Sequence, residues 1–196
     1  SGVERVAEAR LPTRHGTFRV RAYRSLTDGR EHAALIFGKP SHGTLVRVHS
    51  SCVTGDTFHS LRCDCGEQLE ESMRRIAEAK SGVVVYLSQE GRGIGLANKI
   101  KAYALQDRGL DTVEANERLG FVADARTYEA AAGILADLKI STVRLLTNNP
   151  AKVKALKGHH VTVTRVSLEI EMRPENAAYL RTKKHKLKHV LNLSNI

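Results

Sequence analysis

The chain of 196 residues contains no tryptophan, 5% aromatic residues, four prolines and three cysteines. It also has no run of about 18 apolar residues, so the sequence predicts no membrane-spanning helix. Proteins that bind nucleic acids usually present exposed aromatic side chains on which bases stack, so the scarcity of aromatics disfavours that class. The composition, 41% hydrophobic and 27% charged, is typical of a globular chain that can bury a substantial core.

Positive charge is in excess, with a formal net charge of +10 at pH 7. This excess favours an anionic partner, either nucleic acid or a phosphorylated small molecule. Part of it is local, because residues 181–189 hold five of the positive charges. Such a run is most often a solvated helix face or a loose tail, and we expect one of these here.

All three cysteines lie in one short stretch, as Cys52, Cys63 and Cys65. Their odd number argues against a closed disulfide set, and Cys63 and Cys65 are too close in sequence for an easy mutual disulfide. Three thiolates can hold one zinc ion and leave a fourth tetrahedral position open for water, whose pKa zinc lowers to roughly 7. The cluster therefore favours a catalytic zinc site.

The same thiols are also compatible with a structural zinc or with no metal at all. A structural zinc could take His49 or His59 as its fourth ligand, and buried cysteines without a metal are common. Clustered reduced thiols without an apparent signal peptide indicate a cytoplasmic protein. Ser1-Gly2 resembles a remnant of tag cleavage, so we expect a single domain over residues 3–196.

Hydrophobic periodicity predicts a mixed α/β fold with a β-rich N-terminal part. Three predicted strands precede any convincing helix and suggest an antiparallel sheet, at residues 17–23, 33–37 and 45–49. Strand-helix units follow, with predicted helices at 67–79, 96–108, 123–138 and after Pro150, and predicted strands at 83–87, 142–146 and 161–166. The uninterrupted apolar strand at 83–87 is typical of a parallel sheet that is buried on both faces.

Several short segments carry side chains suited to an anionic ligand. The glycine-rich stretch 88–95 follows the buried strand, where backbone amides and Arg92 could approach a phosphate. Arg47 and His49 share one face of their strand, although a solvated surface pair is an equal alternative. The segment 147–152 could bind phosphate or be a capped turn.

For two further candidate residues, a purely structural role is at least as well supported by the sequence as a catalytic one. Asp124 opens a predicted helix, where an aspartate is usually a cap. Tyr103 shares a predicted helix face with Leu96, Ile100 and Ala104, and aromatic residues on such a face usually belong to the core.

Taken together, these segments resemble the GTP cyclohydrolase II family, in the right order and spacing from about residue 4 to 190. The resemblance rests on Arg47-Val48-His49-Ser50, Ser60-Leu61-Arg62-Cys63-Asp64-Cys65-Gly66, Gln89-Glu90-Gly91-Arg92-Gly93-Ile94-Gly95, Ala102-Tyr103-Ala104-Leu105-Gln106-Asp107, Asp111-Thr112-Val113-Glu114-Ala115-Asn116 and Arg144-Leu145-Leu146-Thr147-Asn148-Asn149-Pro150.

The resemblance implies that GTP is hydrolysed to formate, pyrophosphate and 2,5-diamino-6-ribosylamino-4(3H)-pyrimidinone 5′-phosphate, in a homodimer with the family's fold. It implies Zn²⁺ on Cys52, Cys63 and Cys65, and Mg²⁺ bound with the triphosphate. It implies catalytic roles for Tyr103, for Asp124 as proton acceptor and for Arg126 as nucleophile, although a protonated guanidinium is easier to defend as an electrostatic stabiliser. Implied GTP contacts are Arg47, Val48, His49, Ser50, Ser51, Gln68, Glu90, Gly91, Arg92, Thr112, Thr147 and Lys152.

The sequence departs from the family pattern beside the thiols, where Ser51 stands at a position that is usually Glu. Ser167 and Lys188 replace a usual proline and a usual glycine, and the turn at 158–160 is shorter than usual. These departures leave open a specialised paralogue that stops at the formamidopyrimidine nucleotide. A basic, zinc-stabilised nucleic-acid-binding protein is a further alternative, favoured only by the net charge.

Overall fold

A computed structural model describes residues 2–122 and 124–192 and shows the predicted mixed α/β class. Within these residues, seven strands form one sheet in the order β1-β2-β3-β5-β4-β6-β7. The strands are β1 Val3–Thr13, β2 Gly16–Ser25, β3 Glu31–Phe37, β4 Thr44–Ser50, β5 Gly82–Leu87, β6 Thr142–Leu146 and β7 Thr162–Val166. The helices are α1 Val53–Asp56, α2 Cys65–Glu78, α3 Leu96–Gln106, α4 Thr112–Arg118, α5 Glu129–Asp137, α6 Pro150–Gly158 and α7 Pro174–His185.

The sheet combines antiparallel and parallel pairs. β1 pairs with β2, β2 with β3 and β3 with β5 in antiparallel fashion, whereas β4 pairs with β6 and β6 with β7 in parallel fashion. The predicted antiparallel pairing of the early strands is therefore correct for β2 and β3 but wrong for β4, which pairs in parallel with β6. The predicted burial of β5 is confirmed. The predicted parallel pairing is wrong for its contact with β3, because these two strands are antiparallel.

Apolar side chains cover both faces of the sheet, because successive residues of a strand point to opposite sides. On one face, Ile134 and Leu135 of α5 and Leu156 of α6 pack with Val46, Val48, Val85 and Leu145. On the other face, Ile76 of α2 packs with Phe18, Leu45, Val84 and Leu146. Each such fully buried side chain contributes roughly 1.5–3 kcal/mol to folding, so the core holds β4 firmly in the middle of the sheet.

The chain divides into two compact units. The first comprises residues 2–49, 69–88 and 127–168 and contains the whole sheet except Ser50, the last residue of β4. The second comprises residues 50–68, 89–122, 124–126 and 169–192 and contains α1, α3, α4 and α7. The prediction of a single domain stays a prediction.

Local sequence signals explain where some helices begin. The Asn149 side chain accepts a hydrogen bond from the backbone amide of Ala151 at 2.9 Å, and Pro150 occupies the first turn, so the predicted turn into α6 is confirmed. Asp111 and Glu114 form a reciprocal capping box at the start of α4, a helix that hydrophobic periodicity does not predict.

Two predicted helices differ from the structure. α5 begins at Glu129, so Asp124 is no helix cap, and Ala123 lies outside the described residues. On α3, Leu96 and Ile100 are 45% and 47% exposed, whereas Lys99 is buried. The prediction that Leu96 and Ile100 lie on a buried apolar face of α3 is therefore wrong. The helix buries Lys99 instead, because the ammonium has charged partners inside the protein.

The basic run at 181–189 belongs largely to an ordered helix and not to a loose tail. Lys183 of α7 is buried and forms an ion pair with Asp64 at 2.5 Å, and Lys186 pairs with Asp111. Two of the five positive charges are thus neutralised within the chain, which weakens the nucleic-acid alternative. Among the described helices, none combines the length and the apolar character needed to cross a membrane.

Candidate functional site

The three thiols meet in the second unit. The ligand atoms of Cys52, Cys63 and Cys65 all lie within 4.8 Å of one another, and the Sγ atoms of Cys52 and Cys63 are 3.8 Å apart. Among the described residues, this group contains three thiols and no imidazole. The arrangement could hold a metal ion with thiolate ligands alone.

Tight backbone packing places these thiols. Cys52 immediately precedes the short helix α1, and its backbone amide donates to the Asp56 carboxylate at 3.0 Å. A Cβ atom at Gly55 would lie 2.8 Å from the Cys63 Sγ and 3.3 Å from the Cys52 Sγ. Only glycine lets the backbone pass so close to two ligand sulfurs.

The thiols have divergent acidities. Hydrogen bonds from Cys63 and Cys65, together with the ammonium of Lys99, lower the pKa of Cys52. The hydrogen bond to Cys52, together with burial, raises the pKa of Cys63 to about 11. Cys52 is therefore the thiol of the three that loses its proton most easily, and a metal ion that binds here must displace the protons that remain on the thiols.

A cavity in the second unit opens onto the thiols. It is lined by Cys52, Cys63, Cys65, Ser50, Ser51, Gln89, Gly91, Arg92, Ile94, Lys99, Ala102, Tyr103, Gln106, Thr112, Asn116, Arg62, Arg126 and Tyr179. Of the predicted site residues outside the thiol triplet, this lining includes Ser50, Ser51, Gly91, Arg92, Thr112, Tyr103 and Arg126. Three arginines and a lysine at the cavity wall suit an anionic ligand.

Arg92 carries the clearest sign of an anion site. Its backbone lies in the left-handed region at φ 59°, between Gly91 and Gly93, which also have positive φ. Such a conformation costs a bulky residue of order 1–3 kcal/mol and is often found at functional sites. The Nη1 atom of Arg92 is buried with no hydrogen-bond partner among the described residues. A phosphate oxygen would satisfy this donor.

Glu90, by contrast, is occupied by the protein itself. Its carboxylate accepts hydrogen bonds from the backbone amide of Val53 at 2.7 Å, from that of Gly91 at 3.2 Å and from the Lys99 ammonium at 2.7 Å. In this arrangement the side chain joins the glycine-rich loop to the helix that follows Cys52.

Asp124 and Arg126 form a charged pair. The Arg126 Nε donates to both carboxylate oxygens of Asp124, at 2.8 and 3.0 Å, and the Arg126 backbone amide donates to Oδ1. Burial raises the pKa of Asp124, but the hydrogen bonds from Arg126 outweigh it and lower the pKa below its usual value. Asp124 is therefore an ion-paired carboxylate here.

Tyr103 contacts Arg62 and is linked to the thiols through Thr54. Its hydroxyl is 3.2 Å from Thr54 Oγ1, which is itself 3.5 Å from the Cys52 Sγ. Burial raises the pKa of Tyr103 despite the Thr54 hydrogen bond and the charge of Lys99. The guanidinium of Arg62 lies 4.3 Å from its ring centroid. The raised pKa favours the neutral phenol, which can donate or accept a hydrogen bond.

Three more of the predicted contacts have polar partners within the second unit. The Gln68 amide donates to Asp64 at 2.6 Å, and the Ser51 hydroxyl accepts from the backbone amide of Gln89 at 3.1 Å. The Ser50 hydroxyl donates to the Gln89 side chain at 3.3 Å. Ser50 and Ser51 therefore fix the start of the glycine-rich loop.

The remaining predicted contacts lie together in the first unit, at the ends of β4 and β6. The Lys152 ammonium donates to the Val48 carbonyl at 2.7 Å, and the Arg47 guanidinium donates to the Leu146 carbonyl at 3.0 Å. His49 is 2% exposed and stacks on Tyr86, so the surface-pair alternative for Arg47 and His49 is wrong. Thr147 is also buried, and its hydroxyl accepts from the amide of Asn149 as in a capped turn.

Sequence patterns miss Lys99 and Tyr179. Lys99 precedes Tyr103 by four residues, so both share one helix face, and that spacing is a signal that could have found it. Tyr179 lines the cavity from α7, and nothing in its local sequence points to it.

The fold and the site define an α/β protein in which three thiols that could hold a metal ion lie beside a cavity lined by arginines. The family model described as GTP cyclohydrolase II matches residues 4–167. The GTP cyclohydrolase-2 of Buchnera aphidicola is 52% identical over 190 residues, which cover 95% of this chain and 98% of that relative. This chain therefore belongs to the GTP cyclohydrolase II family.

Longer relatives match as well. The riboflavin biosynthesis protein RibBA of Salinispora tropica is 55% identical over 193 residues, which are 96% of this chain and 48% of the relative. The chain thus spans about half the length of the RibBA relatives it matches. A solved structure of RibBX from A. baumannii, described as a two-domain 3,4-dihydroxy-2-butanone 4-phosphate synthase, aligns with 84% of this chain and 40% of that one at TM-score 0.49 and 24% identity.

Proposed function

We propose that this chain hydrolyses GTP, opening the imidazole ring of guanine and releasing formate and pyrophosphate. The product is 2,5-diamino-6-ribosylamino-4(3H)-pyrimidinone 5′-phosphate. Family membership supports the reaction, and one observation carries it here: three thiols at metal-binding distance share a cavity with Arg92, whose buried Nη1 has no hydrogen-bond partner among the described residues. We further propose a cytoplasmic homodimer.

Zinc suits the thiol triplet. Zinc–sulfur bonds of about 2.3 Å in a tetrahedron place two sulfurs about 3.8 Å apart, and the Sγ atoms of Cys52 and Cys63 have that separation. Cys52, Cys63 and Cys65 would hold the ion and leave one position for another ligand. When bound, zinc would supply a Lewis acid that lowers the pKa of a coordinated water to about 7.

The reaction uses three water molecules. One adds to carbon 8 of guanine, and cleavage of the bond from carbon 8 to nitrogen 9 leaves a formamide. A second adds to the formamide carbon, and cleavage of its carbon–nitrogen bond gives formate and a free amine. A third cleaves the bond between the α-phosphorus and its bridging oxygen and releases pyrophosphate. The site must therefore bind a purine and a triphosphate at once.

The arginines would bind the triphosphate end, with Mg²⁺ neutralising part of its charge. The fixed guanidinium of Arg92 would donate to a phosphate oxygen, and Arg126 would stabilise the charge that develops on the α-phosphate. Because Arg126 is held by Asp124 and stays protonated, it has no lone pair with which to attack phosphorus. We therefore propose electrostatic stabilisation for Arg126 and positioning of its guanidinium for Asp124.

The other implied contacts remain proposals for GTP binding. In the second unit these are Ser50, Ser51, Gln68, Glu90, Gly91 and Thr112, and in the first unit Arg47, Val48, His49, Thr147 and Lys152. The internal hydrogen bonds of Glu90 and Gln68 favour a role in shaping the site over direct binding by their side chains.

Tyr103 would act as a general acid–base group during hydrolysis of the formamide. We expect Tyr103→Phe to slow formate release about 100-fold, because a positioned acid–base group contributes roughly 10²–10⁴ to such steps. The phenyl ring keeps the contact with Arg62, so zinc binding and pyrophosphate release should stay near wild type. Mass spectrometry of the quenched products should show a formamidopyrimidine nucleotide. Formate and pyrophosphate appearing at wild-type rates would exclude this role.

Product analysis with GTP and magnesium tests the proposed function. The zinc-loaded protein should release formate and pyrophosphate and produce a new pyrimidine chromophore. Accumulation of the formamidopyrimidine by the wild-type chain would instead identify the partial reaction suggested by Ser51. Absence of all three products would sink the hydrolase proposal, and salt-dependent binding to nucleic acid would then support the remaining alternative.

A further inference from the structure

Lys99 occupies an unusual place for a lysine. It is 9% exposed, on the fourth residue of α3, and its ammonium donates to the Cys52 Sγ at 3.0 Å and to the Glu90 carboxylate at 2.7 Å. Lysines are almost never this buried unless they are paired. Neither the sequence patterns nor the family resemblance assigns it a role.

The negative charges around Lys99 explain why a positively charged side chain lies at this position. Three thiolates carry one more negative charge than a divalent ion neutralises, and Glu90 adds another within hydrogen-bond reach of the same ammonium. Glu90 cannot turn away, because the backbone amides of Val53 and Gly91 also hold it. Buried charge without a partner is costly, so a cation is required at this point.

We propose that Lys99 is a positioning residue of the metal site, which balances the charge of the thiolate-bound metal and fixes Cys52 through a hydrogen bond to its sulfur. The inference rests on the proposed zinc site and deepens it. Hydrogen bonds from outside the ligand set orient metal ligands and tune the metal. Lys99 would orient Cys52 and balance the charge of the metal site through a single nitrogen atom. Its ammonium bridges the Cys52 sulfur and the Glu90 carboxylate, which supports the ligand loop.

The first test compares zinc affinity in Lys99→Met with wild type, by competition with a chromophoric chelator. We expect affinity to fall at least about 10-fold, the usual scale for loss of such a partner. Methionine keeps the length and apolar body of the side chain, so lost packing is a small part of the effect. Lys101→Met, on an exposed position of the same helix, is the matched control and should bind zinc like wild type.

A charge-balanced double variant separates electrostatics from packing. Lys99→Met with Glu90→Gln removes one charge of each sign, so zinc affinity should recover at least part of the loss. In cobalt-substituted protein, Lys99→Met should also move the sulfur-to-cobalt charge-transfer band to longer wavelength. That shift is expected because a sulfur that loses its hydrogen bond gives up an electron more easily.

The outcomes distinguish the two proposals. Wild-type protein that binds no zinc overturns the proposed metal site itself. Wild-type protein that binds zinc, together with a Lys99→Met variant of equal affinity and unshifted cobalt spectrum, overturns only the role of Lys99. If Lys99→Met alone does not fold, the double variant gives the answer: zinc affinity equal to that of Glu90→Gln alone would overturn the charge-balancing role.

Discussion

Replacing Cys63 by serine is expected to abolish zinc binding and, with it, water addition to the guanine ring. Serine offers a hydroxyl with a far higher pKa than a thiol, so the site keeps only two good ligands. Without a metal the attacking water has its bulk pKa of about 15.7 instead of about 7, and we expect formate release to fall at least about 1,000-fold. Metal analysis of the purified variant and a formate assay measure the two effects.

The control for this variant is Leu61→Ser, which places the same residue on the same loop at a side chain that is 50% exposed. It should keep both zinc and activity. If zinc only stabilised the fold, Cys63→Ser would instead lose solubility and its unfolding transition. A folded Cys63→Ser protein that releases formate at the wild-type rate would refute the assignment of the metal ligands.

Replacing Lys183 by methionine is expected to lower the free energy of unfolding by about 3–5 kcal/mol, the usual cost of leaving one member of a buried ion pair alone. The side chains of Lys183 and Asp64 are only 8% and 2% exposed. Asp64 stands between Cys63 and Cys65 in the sequence, so the loss of its ammonium partner should also weaken zinc binding. Urea denaturation of the metal-free protein isolates the stability effect from the metal effect.

A double variant, Asp64→Asn with Lys183→Met, should recover most of the lost stability, because no buried charge is then left without a partner. Lys184→Met, at the neighbouring position of α7, is the matched control and should change stability by less than about 0.5 kcal/mol. Equal stability of Lys183→Met and Lys184→Met would show that the ion pair does not hold α7 to the thiol loop.

Much of the architecture could be predicted from hydrophobic patterning and turn chemistry. The strand at Thr142–Leu146 and the helix that starts at Pro150 follow from an apolar run, an asparagine cap and a proline in the first turn. β1 escapes such patterns because it is an edge strand whose side chains are mostly exposed, so it lacks the alternation that marks a half-buried strand. Strand direction within the sheet depends on contacts between distant segments, which local patterns do not carry.

The start of α5 shows why the boundaries of a helix are less predictable from sequence than its existence. Asp124 has the chemistry of a cap, but its carboxylate is bound by the side chain and backbone amide of Arg126. The segment before Glu129 therefore stays irregular and presents Arg126 to the cavity. A charge pair formed in the folded chain replaced the local preference for a cap.

The amino-acid sequence is enough to identify the chemistry that this chain has available: three thiols in one stretch, a glycine-rich loop with an arginine, and six of the strands, β2 to β7. Which charged groups are buried, and with which partners, depends on how the folded chain brings distant segments together. Lys99 and Lys183 look like ordinary surface lysines in the sequence, yet each is buried against an anion near the thiols. The physical reason is that a charge leaves water only when a partner compensates it, and those partners come from distant parts of the chain.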